Sequence, residues 1–288
     1  MGQVLISGGN IPITLEELFD KRVVDRVFAR LNLSVRIGII IGTGAFAIAA
    51  TLLFVAPVPQ DPSYHLFADT RRVLGISHFG DVTTNLAFLV IGIWGLGVLL
   101  SSRAESAFQP GWKKLPYLVF FVGITGVAGG SAYYHYHPDN ETLLWDRLPM
   151  TLAFMAFFSA IIADRIHNAA GVFVVMPIFL GLGIISLAYW RTTEALGQGD
   201  LRFYGLVQYY PTLAIPLICL LFRAQEGLRG RYLYGLFGWY ALAKLLEYFD
   251  YEVLRLTQGY LSGHNLKHIA AALASYMVLA FINRAVSR

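Results

Sequence analysis

Eight runs of about twenty mostly apolar residues dominate the chain, at approximately 37–56, 80–100, 115–135, 146–164, 171–190, 203–222, 232–250 and 264–283. A helix rises 1.5 Å per residue, so about twenty such residues cover the roughly 30 Å of hydrocarbon in a bilayer. Backbone amides find no water there, which leaves helices and closed barrels as the only spanning forms. Strict alternation of polar and apolar residues is absent, so the runs predict helices and not barrel strands. Charge agrees with this. Only 14% of the 288 residues are Asp, Glu, Lys or Arg, against about 25% in a soluble chain, and mean hydropathy is +0.57. Each ionic group placed in hydrocarbon is costly, so a lipid-facing chain sheds charges or moves them to its loops. A soluble domain, a disordered chain and a charged-groove nucleic-acid binder are excluded. The expectation is an all-α, polytopic membrane helix bundle.

The single cysteine, Cys219, excludes an intrachain disulfide framework and a cysteine metal cage. No cleavable signal peptide is expected, because the polar stretch before the first apolar run is far longer than a typical n-region. That stretch, residues 1–36, sets Leu15, Leu18, Phe19, Val23 and Val27 among Glu16, Asp20, Lys21, Arg22 and Arg26. It reads as an amphipathic cytoplasmic segment lying on the membrane, with a partner-binding helix as the alternative. Basic residues recur at every second connection: Arg26, Arg30 and Arg36, then Arg103, Lys113 and Lys114, then Arg165, then Arg223, Arg229 and Arg231, then Arg284 and Arg288. Asp61, Asp69, Asp139, Glu141, Glu194, Asp200 and Glu252 fall on the opposite connections, with Arg71 and Arg72 as the exception. Short basic loops stay in the cytoplasm, so both termini are expected there.

Ionisable residues near the span ends carry the chemistry. Ser131 and His135 lie four apart at the outer end of the third run, hence on one helix face. A short loop then delivers Asp146 to the same end. Far away, GHNLKH sets His264 and His268 four apart at the start of the last run, again outside. Two histidines at i and i+4 plus a third from another helix make a zinc tripod with an open fourth position. Zinc in such a site lowers the pKa of bound water towards 7. Asp146 would orient that water or accept its proton, and Ser131 would donate to the developing oxyanion.

Plainer readings stand beside each residue. A lone HxxxH arises by chance; Asp146, three residues before Pro149, suits a helix N-cap; His137 competes with His135; Ser131 beside Gly129 and Gly130 suits helix packing. Lys244, Glu247 and Asp250 read first as an intramembrane ion-pair cluster and second as substrate contacts. Asp61, His65, Asp69 and Asp81 offer oxygen and nitrogen donors for a hard cation such as calcium, with solvated loop groups as the default.

Ser131, His135, Asp146, LPM at Leu148–Met150, His264 and His268, in this order and helix placement, resemble the alkaline ceramidase family within the seven-span CREST hydrolases. YHLFADTRRVLGI from Tyr64 and VTTNLAFLVIG from Val82 add to the resemblance, which covers about residues 61–283. It implies a seven-helix core over 58–288, with 37–57 as an added N-terminal transmembrane helix. It implies His135, His264 and His268 as zinc ligands, Asp146 as the residue that holds and deprotonates the water, and Ser131 as oxyanion support. It also implies hydrolysis of the ceramide amide to a sphingoid base and a fatty acid; with the compact loops it favours a bacterial inner membrane, in which the loop charges put the site towards the outer face. Two features depart from the family: Arg147 stands where animal members carry an acidic residue, and the acidic calcium motif is not recognisable ahead of Asp81. A lipid esterase or phospholipase with the same site is the alternative within hydrolases. A non-enzymatic lipid receptor around structural zinc is the alternative outside them, and a transporter is disfavoured by the lack of an internal repeat. The partners expected are the bilayer and a ceramide-like lipid, and no nucleic acid.

Overall fold

The computed structural model describes residues 31–222 and 230–287, and every long element among them is a helix. Eight helices carry the fold: α1 Leu33–Phe54, α2 Phe79–Leu99, α3 Leu115–Tyr136, α4 Asn140–Arg165, α5 Asn168–Ala195, α6 Arg202–Leu221, α7 Gly230–Tyr248 and α8 Gly263–Val286. Seven are long and apolar enough to cross a membrane. The exception is α7, 19 residues long, in which Arg231, Lys244 and Glu247 dilute the apolar residues. It forms where the seventh run was expected, but its charges place it outside the apolar set. The chain is a helical membrane bundle. The amphipathic reading of residues 1–36 falls almost wholly outside the described residues, as do Arg223 and Arg229.

The loops between α3 and α4 and between α4 and α5 are short, so these helices run antiparallel and pack side by side. The α3–α4 pair is the closest. A Cβ added at Gly130 would run into the carbonyl oxygen of Trp145, and one at Gly123 would meet Pro149 and Ala153. Small residues let the two backbones approach, as expected where lipid gives no hydrophobic drive for association. Around this pair Phe121, Phe158, Ile161, Ile218 and Leu279 fill the buried core. Helix α1 stands apart and buries no residue. It leans on α6, where the Tyr210 hydroxyl donates to Ile40 O at 3.0 Å.

Residues 55–78 fold across one end of the bundle as a roof. Asp61 caps a turn at Pro62–His65, its carboxylate accepting from Ser63 N at 2.8 Å. Phe67, Ala68 and Asp69 are buried. Ala68 N donates to Asp250 Oδ2 at 3.0 Å, which ties the roof to the segment between α7 and α8. Asp69 accepts from Arg71 Nε at 2.7 Å and from Gly80 N at 3.1 Å, and Arg71 Nη1 donates to Tyr260 O at 2.8 Å. Burial pushes the Asp69 carboxyl up, but the Arg71 hydrogen bonds, the Arg71 charge and the Gly80 N–H outweigh it and hold the group below the ordinary carboxylate range.

Candidate metal centre

Three helix ends meet under the roof. His135 lies in the last turn of α3, which stops at Tyr136. Its competitor His137 is therefore off the helix; its side chain is 73% exposed and pairs with Asp139 at 3.0 Å. The first turn of α8 is held twice over. Ser262 Oγ accepts from Asn265 N while Asn265 Oδ1 accepts from Ser262 N, both at 3.0 Å, a reciprocal cap of the helix start. Asp250 Oδ1 accepts from His264 N at 2.7 Å. With the helix start fixed, His264 and His268 present their rings to one side. Candidate ligand atoms of His135, His264 and His268 all lie within 4.8 Å of one another, and all three residues are buried. His135 Nε2 and His264 Nε2 are 3.3 Å apart.

The donor set suits a metal. Among the described residues this is the group of His, Cys, Asp and Glu side chains close enough together to hold one. Three imidazoles with no carboxylate or thiolate between them suit zinc. Thr84 Oγ1 lies 3.0 Å from His268 Nδ1, which leaves Nε2 facing the cluster. His78 Nδ1 lies 2.9 Å from the carbonyl of His135, fixing the end of α3. Buried His135 Nδ1 has no hydrogen-bond partner. The Phe67 ring packs edge-on to His135 and His264, with centroids 4.5 and 4.8 Å away.

Beside the histidines opens a cavity of about 470 Å³. Ser131, Asp146 and His268 line it, together with Ile124, Phe154, Phe157 and Leu236. The close α3–α4 approach at Gly130 sets the register that brings Ser131 opposite Asp146. The N-cap reading of Asp146 is corrected: the cap of α4 is Asp139, in a reciprocal pair with Thr142, and Asp146 sits two turns inside the helix. All five residues singled out in the sequence thus gather at one end of the bundle.

Other expectations divide. Lys244 Nζ and Glu247 Oε2 are 2.6 Å apart, the ion pair that the spacing suggested. Asp250 does not join them, since its two oxygens hold Ala68 N and His264 N. Asp61, His65, Asp69 and Asp81 bond separate partners and do not gather into one donor group among the described residues: Ser63 for Asp61, Tyr134 and Asn140 for His65, Arg71 for Asp69, and Asn265 for one oxygen of Asp81 at 2.6 Å.

Sequence reasoning passed over Lys267. Its ammonium lies 2.7 Å from Glu247 Oε1 and 3.2 Å from His264 Nε2, and it lines the cavity. The signal was present, since Lys267 stands between the two histidines of GHNLKH, three residues after His264 and so on nearly the same face. Phe67 and Thr84 had no such signal, because only the path of the roof and the start of α2 bring them to the histidines. Neither a family model, nor a curated protein, nor a solved structure matches this chain.

Proposed function

We propose that the chain is a zinc-dependent intramembrane hydrolase that cleaves the amide bond of ceramide-like lipids. The observation that carries this reading is the meeting of three buried imidazoles with Ser131 and Asp146 at the wall of one largely apolar cavity. One reading outside hydrolysis, a lipid receptor, fits less well. A structural zinc in a receptor is normally closed by four protein ligands, whereas three candidates converge among the described residues.

The roles follow from position. Phe120, Ile124, Phe157 and Leu236 give an acyl chain an apolar wall to lie against. Zinc held by His135, His264 and His268 would polarise the scissile carbonyl and acidify a water. Asp146 takes the proton of the attacking water and returns it to the leaving nitrogen. Ser131 donates its hydroxyl to the carbonyl oxygen as negative charge builds there. A C–O bond forms, the C–N bond breaks, and a fatty acid and an amine result. Thr84 and Asp250 act through the histidines, one by orienting the His268 ring and the other by fixing the start of α8. The roof, with Phe67 against two of the rings, keeps bulk water from the reacting atoms.

Basic residues at the opposite helix ends, among them Arg103, Lys113, Lys114, Arg165 and Arg284, support cytoplasmic termini with the site towards the outer face of a bacterial inner membrane. The test is metal analysis coupled to lipid hydrolysis. His264→Ala and His268→Ala should each remove zinc and lower hydrolysis by on the order of a hundredfold or more, with the purified protein still monodisperse. Full activity in a zinc-free variant overturns the proposal. A panel of ceramides and phospholipids separates amide from ester cleavage by which substrate releases fatty acid.

A further inference from the structure

Arg147 is 5% exposed and lines the same cavity as Asp146. Its guanidinium carbon lies 4.5 Å from the Trp190 ring centroid, 4.7 Å from that of Tyr204 and 5.5 Å from that of Tyr64. Rings attract the faces of a guanidinium, but its N–H bonds lie in the plane and need acceptors. One is answered: Nη2 donates to Gln60 Oε1 at 2.7 Å. Nη1 is buried and has no partner, and among the described residues no carboxylate pairs with the group.

The neighbouring carboxylates make their hydrogen bonds to groups other than the guanidinium. Glu194 Oε1 accepts from Gln60 N at 2.5 Å and from Trp190 Nε1 at 3.3 Å. Lys244 and Lys267 share Glu247, each bonding one of its two oxygens. Asp61 at the cavity rim accepts from Ser63 N, and Asp146 faces Ser131 with no hydrogen bond to the guanidinium. A guanidinium keeps its charge, and leaving one buried without an anion is expensive. Arg147 also sits near the roofed end of the bundle, at the level where lipid head groups lie if the helices span. The N–H bonds of Nη1, in plane with the Nη2 N–H already directed by Gln60, have the geometry for an oxyanion.

We infer that Arg147 is the binding point for an oxyanion on the head group of the substrate, so that the preferred lipid amide is acidic, with a carboxylate or phosphate on its amine side. This rests on the proposed hydrolase for its reaction but not for its binding. The aromatic box orients the cation, Gln60 fixes an Nη2 N–H, and Nη1 donates to the ligand oxygen while the acyl chain runs along the apolar wall.

Binding is measured in zinc-depleted protein through tryptophan fluorescence, Trp190 lying against the guanidinium. The probes are two pairs, N-oleoylglycine against N-oleoylethanolamine and ceramide 1-phosphate against ceramide. The anionic member of at least one pair should bind about tenfold tighter or more, and the pair with the larger ratio identifies carboxylate or phosphate as the source. Arg147→Gln should bring the ratio to within about twofold. Arg147→Lys, which keeps the cation and loses the planar fork, should give an intermediate ratio. Equal binding within both pairs by the native protein overturns the inference whether or not a variant folds, and so does a preference that survives Arg147→Gln. A preference for the anionic lipid without hydrolysis in zinc-loaded protein supports Arg147 and counts against the hydrolase. Hydrolysis with no preference does the reverse.

Discussion

Helices α1 and α8 are of similar length and each is apolar enough to cross a membrane, yet they have opposite places in the molecule. No residue of α1 is buried, whereas α8 buries twelve, among them His264, Asn265, His268 and Ser275. Hydropathy alone does not separate them. Polar residues do: three of the four buried polar residues named find partners in α2, in α3 and in the segment after α7, and only Ser275 bonds back to Ala271 O in its own helix. Asp250 holds His264 N, Asp81 takes Asn265, Thr84 meets His268 and His135 meets His264. On α1 the polar Thr43 satisfies itself by donating to Ile40 O in its own helix at 2.9 Å. In a medium without water, a helix is drawn into a bundle by what it cannot satisfy alone.

The sharpest break between a helix of the site and α1 is expected from removing one polar function from α4, which packs in the same core as α8, and one from α1. Asp146→Asn keeps volume and hydrogen bonding but cannot take up a proton. Lipid hydrolysis should fall by roughly 10²–10⁴-fold while the zinc content stays near that of the native protein. Thr43→Val, the matched change on α1, should leave hydrolysis within about twofold, since its only partners are its own helix and a 3.4 Å approach of Tyr210. Steady-state kinetics and metal analysis on the two purified variants decide this. A comparable loss from both would show that α1 is part of the working site.

The same contrast explains what could be read in advance. Spans were legible because desolvation strips charge from them, and Ser131, His135, Asp146, His264 and His268 were legible because helical spacing reports which residues share a face. The choice of His135 over His137 needed the end of α3 at Tyr136, which is a matter of one residue. The cap of α4 was misread because Asp139 and Asp146 both suit an N-terminus, and only the chain path shows that Thr142 completes the cap at Asp139. Asp250 looked like a neighbour of Glu247 by sequence, but a bend after Tyr248 turns it towards α8. Phe67 and the roof were hidden because burial there depends on long-range contacts to Asp250 and Tyr260. The peripheral place of α1 was implied only by resemblance to a seven-helix family, not by any property of its own residues.

Glycines offer a second way to test the contrast, with a smaller effect. Gly130 on α3 faces the Trp145 carbonyl with no room for a methyl group, whereas a Cβ at Gly42 on α1 meets nothing within 4 Å. Gly130→Ala must separate α3 from α4 or shift their register, at a cost on the order of 1–3 kcal/mol. It should also reduce hydrolysis, because Ser131 and Asp146 sit on the two helices that move apart. Gly42→Ala should change stability by less than about 1 kcal/mol, in the stabilising direction if helix propensity dominates. Thermal unfolding of both variants in the same detergent provides the comparison. Equal midpoints would mean that the α3–α4 contact is looser than the packing at Gly130 requires.

The smallest effect concerns acid. Among its residues α1 carries a single charged group, Arg36, so its packing should be indifferent to pH across the carboxylate range. The roof over the histidines differs, because Asp69 joins Arg71 and the start of α2 through its ionised form. Its carboxyl is held below the ordinary range in the folded chain, so it takes up protons more readily when unfolded, at about pH 3.9. The stabilisation it supplies is complete above that value and is lost as pH falls through the lower, folded one. Amide exchange in residues 67–80, corrected for the intrinsic effect of pH, should accelerate several-fold as pH falls below about 4, a step that exchange in α1 lacks. Asp69→Asn should show the faster roof exchange already at neutral pH and remove the acid step. A roof that opens equally in native protein and variant as the pH drops would assign the acid response to another group.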